Sequence, residues 1–198
     1  PPLRAHLAQL HATESAWASL RALIGKRPVL GSFLLTTLTM MSGFIIIPNF
    51  PAFVRFNLGF PGEDLGLISL VGGVVSFITA RVMGPLVDRF GSARVATGGT
   101  LLITVMIYTM FVWTSVGVPV LLLSAGFFLA MGTRMVAYST LTSKVPEAHE
   151  RARFQSVQSA VQHAASAVAA FLSAQLLSEL PDHKLLHIER VAYTSIAL

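Results

Sequence analysis

Gly84–Arg94, read GPLVDRFGSAR, decides how the rest of the chain is understood. It gathers glycine, proline, one aspartate and two arginines between long apolar runs that carry almost no charge. Arginine beside a membrane span stays preferentially on the cytoplasmic side, so the stretch reads as a tight inner hairpin joining two spans. The bland alternative, an ordinary solvated turn, has no need of apolar flanks on both sides.

Composition supports the membrane reading. The chain is 54% hydrophobic and 12% charged, with a mean hydropathy of +0.69, against roughly a quarter charged residues in soluble domains. The formal charge of +5 is spread between apolar runs and forms no basic patch, so nucleic acid is not an expected partner; the bilayer is. With no cysteine there is no disulfide framework and no thiolate metal site. The chain opens at Pro1 and closes at Leu198 inside an apolar run, so we expect a fragment of a longer polypeptide.

Outward from the hairpin, the fold expected is an all-α membrane bundle. Residues 1–28 read as a linker holding an amphipathic surface helix, with Trp17, Leu20 and Ile24 on one side. Spans are expected at about 29–47, 65–83, 95–113, 120–138 and 154–177, with an incomplete sixth at 191–198, because about 20 residues cross the hydrocarbon core. Pro48 and Pro51 end or bend the first. Phe50, Phe53, Phe56 and Phe60 then read most simply as interfacial anchors, or else as a vestibule wall. Gly72 with Ser76, and Gly126 with Ala130, are small-residue pairs that permit close helix contact. The fifth span carries Ala160, Ala164 and Ala167 on one stripe and Ser166, Ala170 and Ala174 on another, and is expected to lie between other helices. With the amino end cytoplasmic, eleven of the fourteen basic residues fall inside, against Arg55, Lys184 and Arg190 outside.

None of the nine acidic residues lies deep in an expected span, although a buried carboxylate is a common proton carrier. His163 is the titratable candidate near mid-depth, ten residues or about 15 Å along a helix from Arg153. It is either a packing residue or a direct proton or substrate contact. Gln155, Gln158 and Gln162 share a face beside it; the stripe lines an aqueous cavity or bonds a neighbouring helix. Gln158 and Gln162 are the better substrate candidates on depth. Arg134 either snorkels to the cytoplasmic interface or faces inward, toward an anionic substrate group or a partner carboxylate.

Gly84, Leu86, Asp88, Arg89 and Gly91 match the glycine-x-leucine-x-aspartate-arginine-x-glycine pattern of the major facilitator superfamily, and the chain resembles that family over nearly its whole length. The family's basic residues straight after the last glycine are replaced here by Ser92 and Ala93, with Arg94 following. Val145–Ser156, VPEAHERARFQS, is similar to the connection before the eleventh helix in the drug and sugar efflux branch. The resemblance implies the second six-helix half of a major facilitator fold, last helix truncated, whose partner is the missing N-terminal half. A first half with an N-terminal tail is the other placement. It further implies a secondary transporter that exports small organic solutes by alternating access, multi-pass in a bacterial inner membrane. Asp88 and Arg89 would then serve a conformational latch between halves. No cofactor is expected; any proton coupling would use a carboxylate of the missing half.

Two other functions compete with transport. An intramembrane hydrolase needs a framed serine nucleophile, and Ser139 and His163 lack a glycine-x-serine-glycine setting. A non-transporting six-helix scaffold or regulatory half-transporter differs from a carrier only in moving no solute.

Overall fold

The computed structural model describes residues 16–113 and 117–198. Residues 1–15, the larger part of the expected linker, lie outside them. The first helix, α1, covers Ala16–Ile24. Leu23 is buried and packs with Val29, Phe33 and Phe154, whereas Ile24, expected on the apolar side, is exposed.

After a turn at Gly25 and Lys26, α2 runs from Arg27 to Phe44 with Pro28 in its first turn, where a missing N–H costs nothing. Pro48 and Pro51 neither end the chain's helical course nor leave a loop. Tighter and wider turns continue it through Ile47–Asn49, Phe50–Ala52 and Phe53–Asn57, so the apolar stretch reaches Asn57. This overturns the interfacial reading of two phenylalanines. Phe50 and Phe53 are buried, Phe50 stacked on Phe127 at 5.2 Å between ring centres and Phe53 against Phe111 at 4.7 Å. The irregular turns rotate the rings inward, where offset and edge contacts between aromatic faces are favourable.

The deciding stretch is itself mostly helix. The next helix, α3, extends from Leu65 to Phe90, seven residues beyond the expected span, and α4 covers Ser92–Ile107 and continues in a wide turn to Val112. The break is Gly91 alone, at φ +87°, a backbone conformation that glycine adopts without steric penalty. Glycine and proline within the signature suggested a loop. Close to lipid, however, main-chain groups are best satisfied by continuing the helix, and Pro85 is accommodated inside α3.

Helix α5 spans Val120–Ser143, and glycines bring α3 and α4 against it. A β-carbon on Gly72 would lie 2.8 Å from the Phe128 ring, one on Gly126 2.6 Å from Met106 Sδ, and one on Gly99 2.9 Å from the Arg134 backbone nitrogen. The outward face of α3, with Leu70, Val74, Phe77 and Ile78, is exposed.

Helix α6, Arg151–Leu176, packs along α2. It has the length of a crossing helix, but its glutamines, serines and His163 lower its hydropathy. Among the described residues four helical stretches are both long and apolar enough to cross a membrane: Arg27–Asn57, Gly62–Phe90, Ser92–Val112 and Val120–Ser143. The buried stripe of α6 is Phe154, Gln158, Ala165, Ala169 and Ser173. Ala160, Ala164, Ala167 and Ala174, expected to be enclosed, are exposed, because α6 buries only the side turned to α2. A two-stranded hairpin follows, β1 Ser178–Glu179 with β2 Leu185–Leu186, pinned by the Asn57 amide to the Leu185 backbone through two 2.9 Å hydrogen bonds. The last helix, α7, covers Ile188–Ala197 and buries Ile188, Val191, Ala192 and Ser195 against α2 and the end of α4.

Candidate functional site

Arg134 sits where two neighbouring helices lack side chains. Gly99 lets the backbone of α4 approach that of α5 at this residue, and Gly43 leaves room on α2 for the guanidinium, whose Nη2 would lie 3.7 Å from a β-carbon there. The side chain reaches α2: Nη1 donates to Ser42 Oγ at 2.9 Å and Nη2 to the Thr39 carbonyl at 3.3 Å. Thr39 lies twelve residues, about 18 Å, along α2 from its first residue. The Arg134 side chain is thus turned toward α2 inside the bundle.

Ser42 does further work. Its hydroxyl, which accepts from Arg134, lies 3.0 Å from the Ser195 carbonyl, and Ser195 Oγ donates back to the Ser42 carbonyl at 2.6 Å, tying α2 to α7. Beside this junction α2, α4, α5 and α7 enclose a cavity of about 210 Å³. Arg134, Thr39, Ser42, Thr100, Thr104 and Ser195 give it polar groups, and leucines and isoleucines such as Leu35 and Ile103 the remaining wall.

Tyr138, one turn along from Arg134, lines the same cavity and joins it to a second network. Gln158 Nε2 donates to Tyr138 Oη at 2.9 Å, Tyr138 donates to Thr36 Oγ1 at 2.9 Å, and Thr36 donates to the Ser32 carbonyl at 2.8 Å. Gln162 also reaches Tyr138 Oη, at 3.4 Å. These groups are buried or half-buried, and a donor in hydrocarbon needs its acceptor within the protein. Gln158 Oε1 and Ser32 Oγ are buried without a partner among the described residues. The glutamine stripe thus bonds a neighbouring helix at Gln158 and Gln162, while Gln155 is exposed.

His163 is exposed and joins neither network. The signature residues stand apart from the cavity: Gly84 and Leu86 are half-buried, and Asp88, Arg89, Gly91 and Arg94 are exposed at the end of α3 and the beginning of α4. Asp88 has no ion-pair partner among the described residues. Sequence reasoning passed over Tyr138, Ser42, Thr39, Thr100, Thr104 and Ser195. One signal was available in Thr100 and Thr104, hydroxyls one helical turn apart in an otherwise apolar run.

The family model described as Major Facilitator Superfamily matches residues 32–181. The chain belongs to this superfamily. It is a multi-pass membrane protein, and the family's members are transporters, not enzymes. Comparison with curated proteins and with solved structures returns no match.

Proposed function

We propose that this major facilitator chain forms the second six-helix half of a secondary active transporter that exports small organic solutes, drug-like or sugar-like, across a bacterial inner membrane. The observation that carries a substrate site within it is Arg134: a cation positioned in the bundle interior, where an ionisable side chain is costly and marks a functional path. Second-half placement is supported by the similarity of Val145–Ser156 to the connection in the efflux branch and by the helix α1 leading into the bundle. The amino end of α1 is cytoplasmic on the bias of basic residues. Alternating access then proceeds by rocking this half against its partner about a site between them. Asp88 and Arg89, exposed at the end of α3, form the latch that favours one access state.

The test is solute movement by the intact gene product in proteoliposomes. Counterflow or efflux above empty vesicles supports the reading, and Asp88→Asn should slow it severalfold while leaving membrane insertion unchanged. A protein that inserts, binds its partners and moves no solute is a scaffold, and the proposal is then wrong.

A further inference from the structure

We infer that the cavity around Arg134 receives the anionic group of the solute, so that this half of the transporter selects small amphiphilic organic acids. The inference rests on the transporter reading and gives its substrate a chemical class.

Three observations lead there. First, a guanidinium has five N–H donors and keeps its charge at any physiological pH. Here two of its nitrogens engage neutral acceptors, the Ser42 hydroxyl and the Thr39 carbonyl, leaving donors to spare at a cavity that Arg134 itself lines. Second, no carboxylate among the described residues pairs with it; the described ion pairs all involve Lys26, His149, His183, Lys184 or His187. A charge away from water is stable only when another charge or several hydrogen bonds compensate it, and the compensation here is incomplete. Third, the cavity is shaped for one end of a molecule. About 210 Å³ is less than a whole drug-sized site and sufficient for a carboxylate with several carbons. Thr100 on α4 presents a hydroxyl that can bond an anion beside the guanidinium, Thr104 being turned to the Thr100 carbonyl at 2.9 Å, and Leu35, Leu38 and Ile103 offer apolar wall to the carbon next to it. A neutral polyol would leave the charge uncompensated, and an organic cation would be repelled.

The test uses the full-length transporter in detergent and sodium benzoate as probe, with benzyl alcohol and benzylamine as neutral and cationic controls of matching shape. Benzoate should raise the thermal midpoint in a concentration-dependent way, the controls should not, and Arg134→Gln should weaken benzoate protection about tenfold or more. Because Arg134→Gln can disturb folding, a second variant is needed. Thr104→Glu places a carboxylate in the same cavity and should abolish benzoate protection while keeping a monodisperse, folded protein. Equal protection by all three probes, or benzoate protection that survives both substitutions, would overturn the inference. Proteoliposome counterflow with the same three compounds separates the two readings. Benzoate binding through Arg134 with none of them transported removes the transporter reading and leaves the anion site standing. Transport of the controls unaffected by Arg134→Gln removes the anion site and leaves the transporter.

Discussion

The two seams that hold this bundle together work by opposite means. Along α3, α4 and α5 the contact is made by missing side chains: Gly72, Gly99, Gly126 and Gly132 each sit where a β-carbon would fall within about 3 Å of a neighbour. Along α2 and α6 polar side chains join the apolar contact of Phe33 with Phe154, in the Gln158–Tyr138–Thr36 chain, which passes through α5, and in Asn49, whose amide donates to Ser173 Oγ at 2.8 Å. In lipid no hydrophobic force distinguishes helix from solvent, so close packing and interhelical hydrogen bonds are the available ways to associate. The glycine seam is most rigid at Gly99 and Gly72, whose neighbours are backbone and ring. A hydrogen-bonded seam can exchange partners. Arg134 lies between them, its backbone in the first seam and its guanidinium on α2.

The comparison is broken most severely at Gly99. A methyl group there meets the backbone nitrogen and Cα of Arg134 at 2.9 and 3.1 Å, and backbone cannot rotate away. Gly99→Ala should cost about 3 kcal/mol or more, an overpacking penalty without a soft neighbour to relieve it. It would appear as loss of monodisperse protein or a large fall in thermal midpoint. Gly98→Ala, with nothing within 4 Å of the added carbon, is the internal control and should be nearly silent. Gly126→Ala should fall between them, because its obstacle is the flexible Met106 thioether.

The hydrogen-bonded seam is sharpened by Tyr138→Phe. The ring volume is kept, while Gln158 and Thr36 lose their common partner. We expect a loss of about 1–2 kcal/mol, the range of single interhelical hydrogen bonds in bilayers and well below the Gly99 effect. A double-mutant cycle with Gln158→Leu in thermal or denaturant unfolding should show strong coupling; strictly additive effects would mean the chain of bonds is incidental.

The difference between the seams also explains what could be read from sequence. Hydropathy places the crossing helices because each apolar run is a local property, and glycine pairs such as Gly126 with Ala130 announce close contact without naming the partner. The helix ends around Gly91 were misplaced because glycine and proline signal turns in water, whereas a segment near lipid keeps its helix to the last residue that can. Phe50 and Phe53 turned inward because the turns between Ile47 and Asn57 shift the helical phase, which no fixed period reveals. Arg134 and Gln158 stood out as polar residues in apolar surroundings. Tyr138 did not, since a tyrosine near a helix end reads as an interface anchor until the helices across from it are known. Pairings between residues 20 to 153 positions apart, such as Gln158 with Tyr138 or Ser42 with Ser195, belong to the packing and leave no local trace.

The smallest effect expected lies where the hydrogen-bonded seam meets solvent. Lys26 Nζ lies 2.8 Å from Glu150 and 3.1 Å from Glu147, joining the turn before α2 to the loop before α6. The hydrogen bond from Lys26 holds the Glu150 carboxyl below its ordinary value of 4.5, and the carboxylates in turn hold Lys26 above 10.5, chiefly Glu150. For a depressed carboxyl the stabilisation is present above the unfolded value and disappears as pH falls through the folded one. For a raised lysine it is present below the unfolded value and disappears as pH rises through the folded one. The clasp should therefore contribute evenly between about pH 5 and pH 10 and be lost outside that window. Since Lys26 and Glu147 are exposed, its contribution is also screened by salt. Lys26→Met should lower the thermal midpoint less than Tyr138→Phe does, and the deficit should shrink in high salt and fade as the carboxylates are protonated in acid. A deficit that persists unchanged at low pH and high salt would show that the lysine stem matters more than its charge.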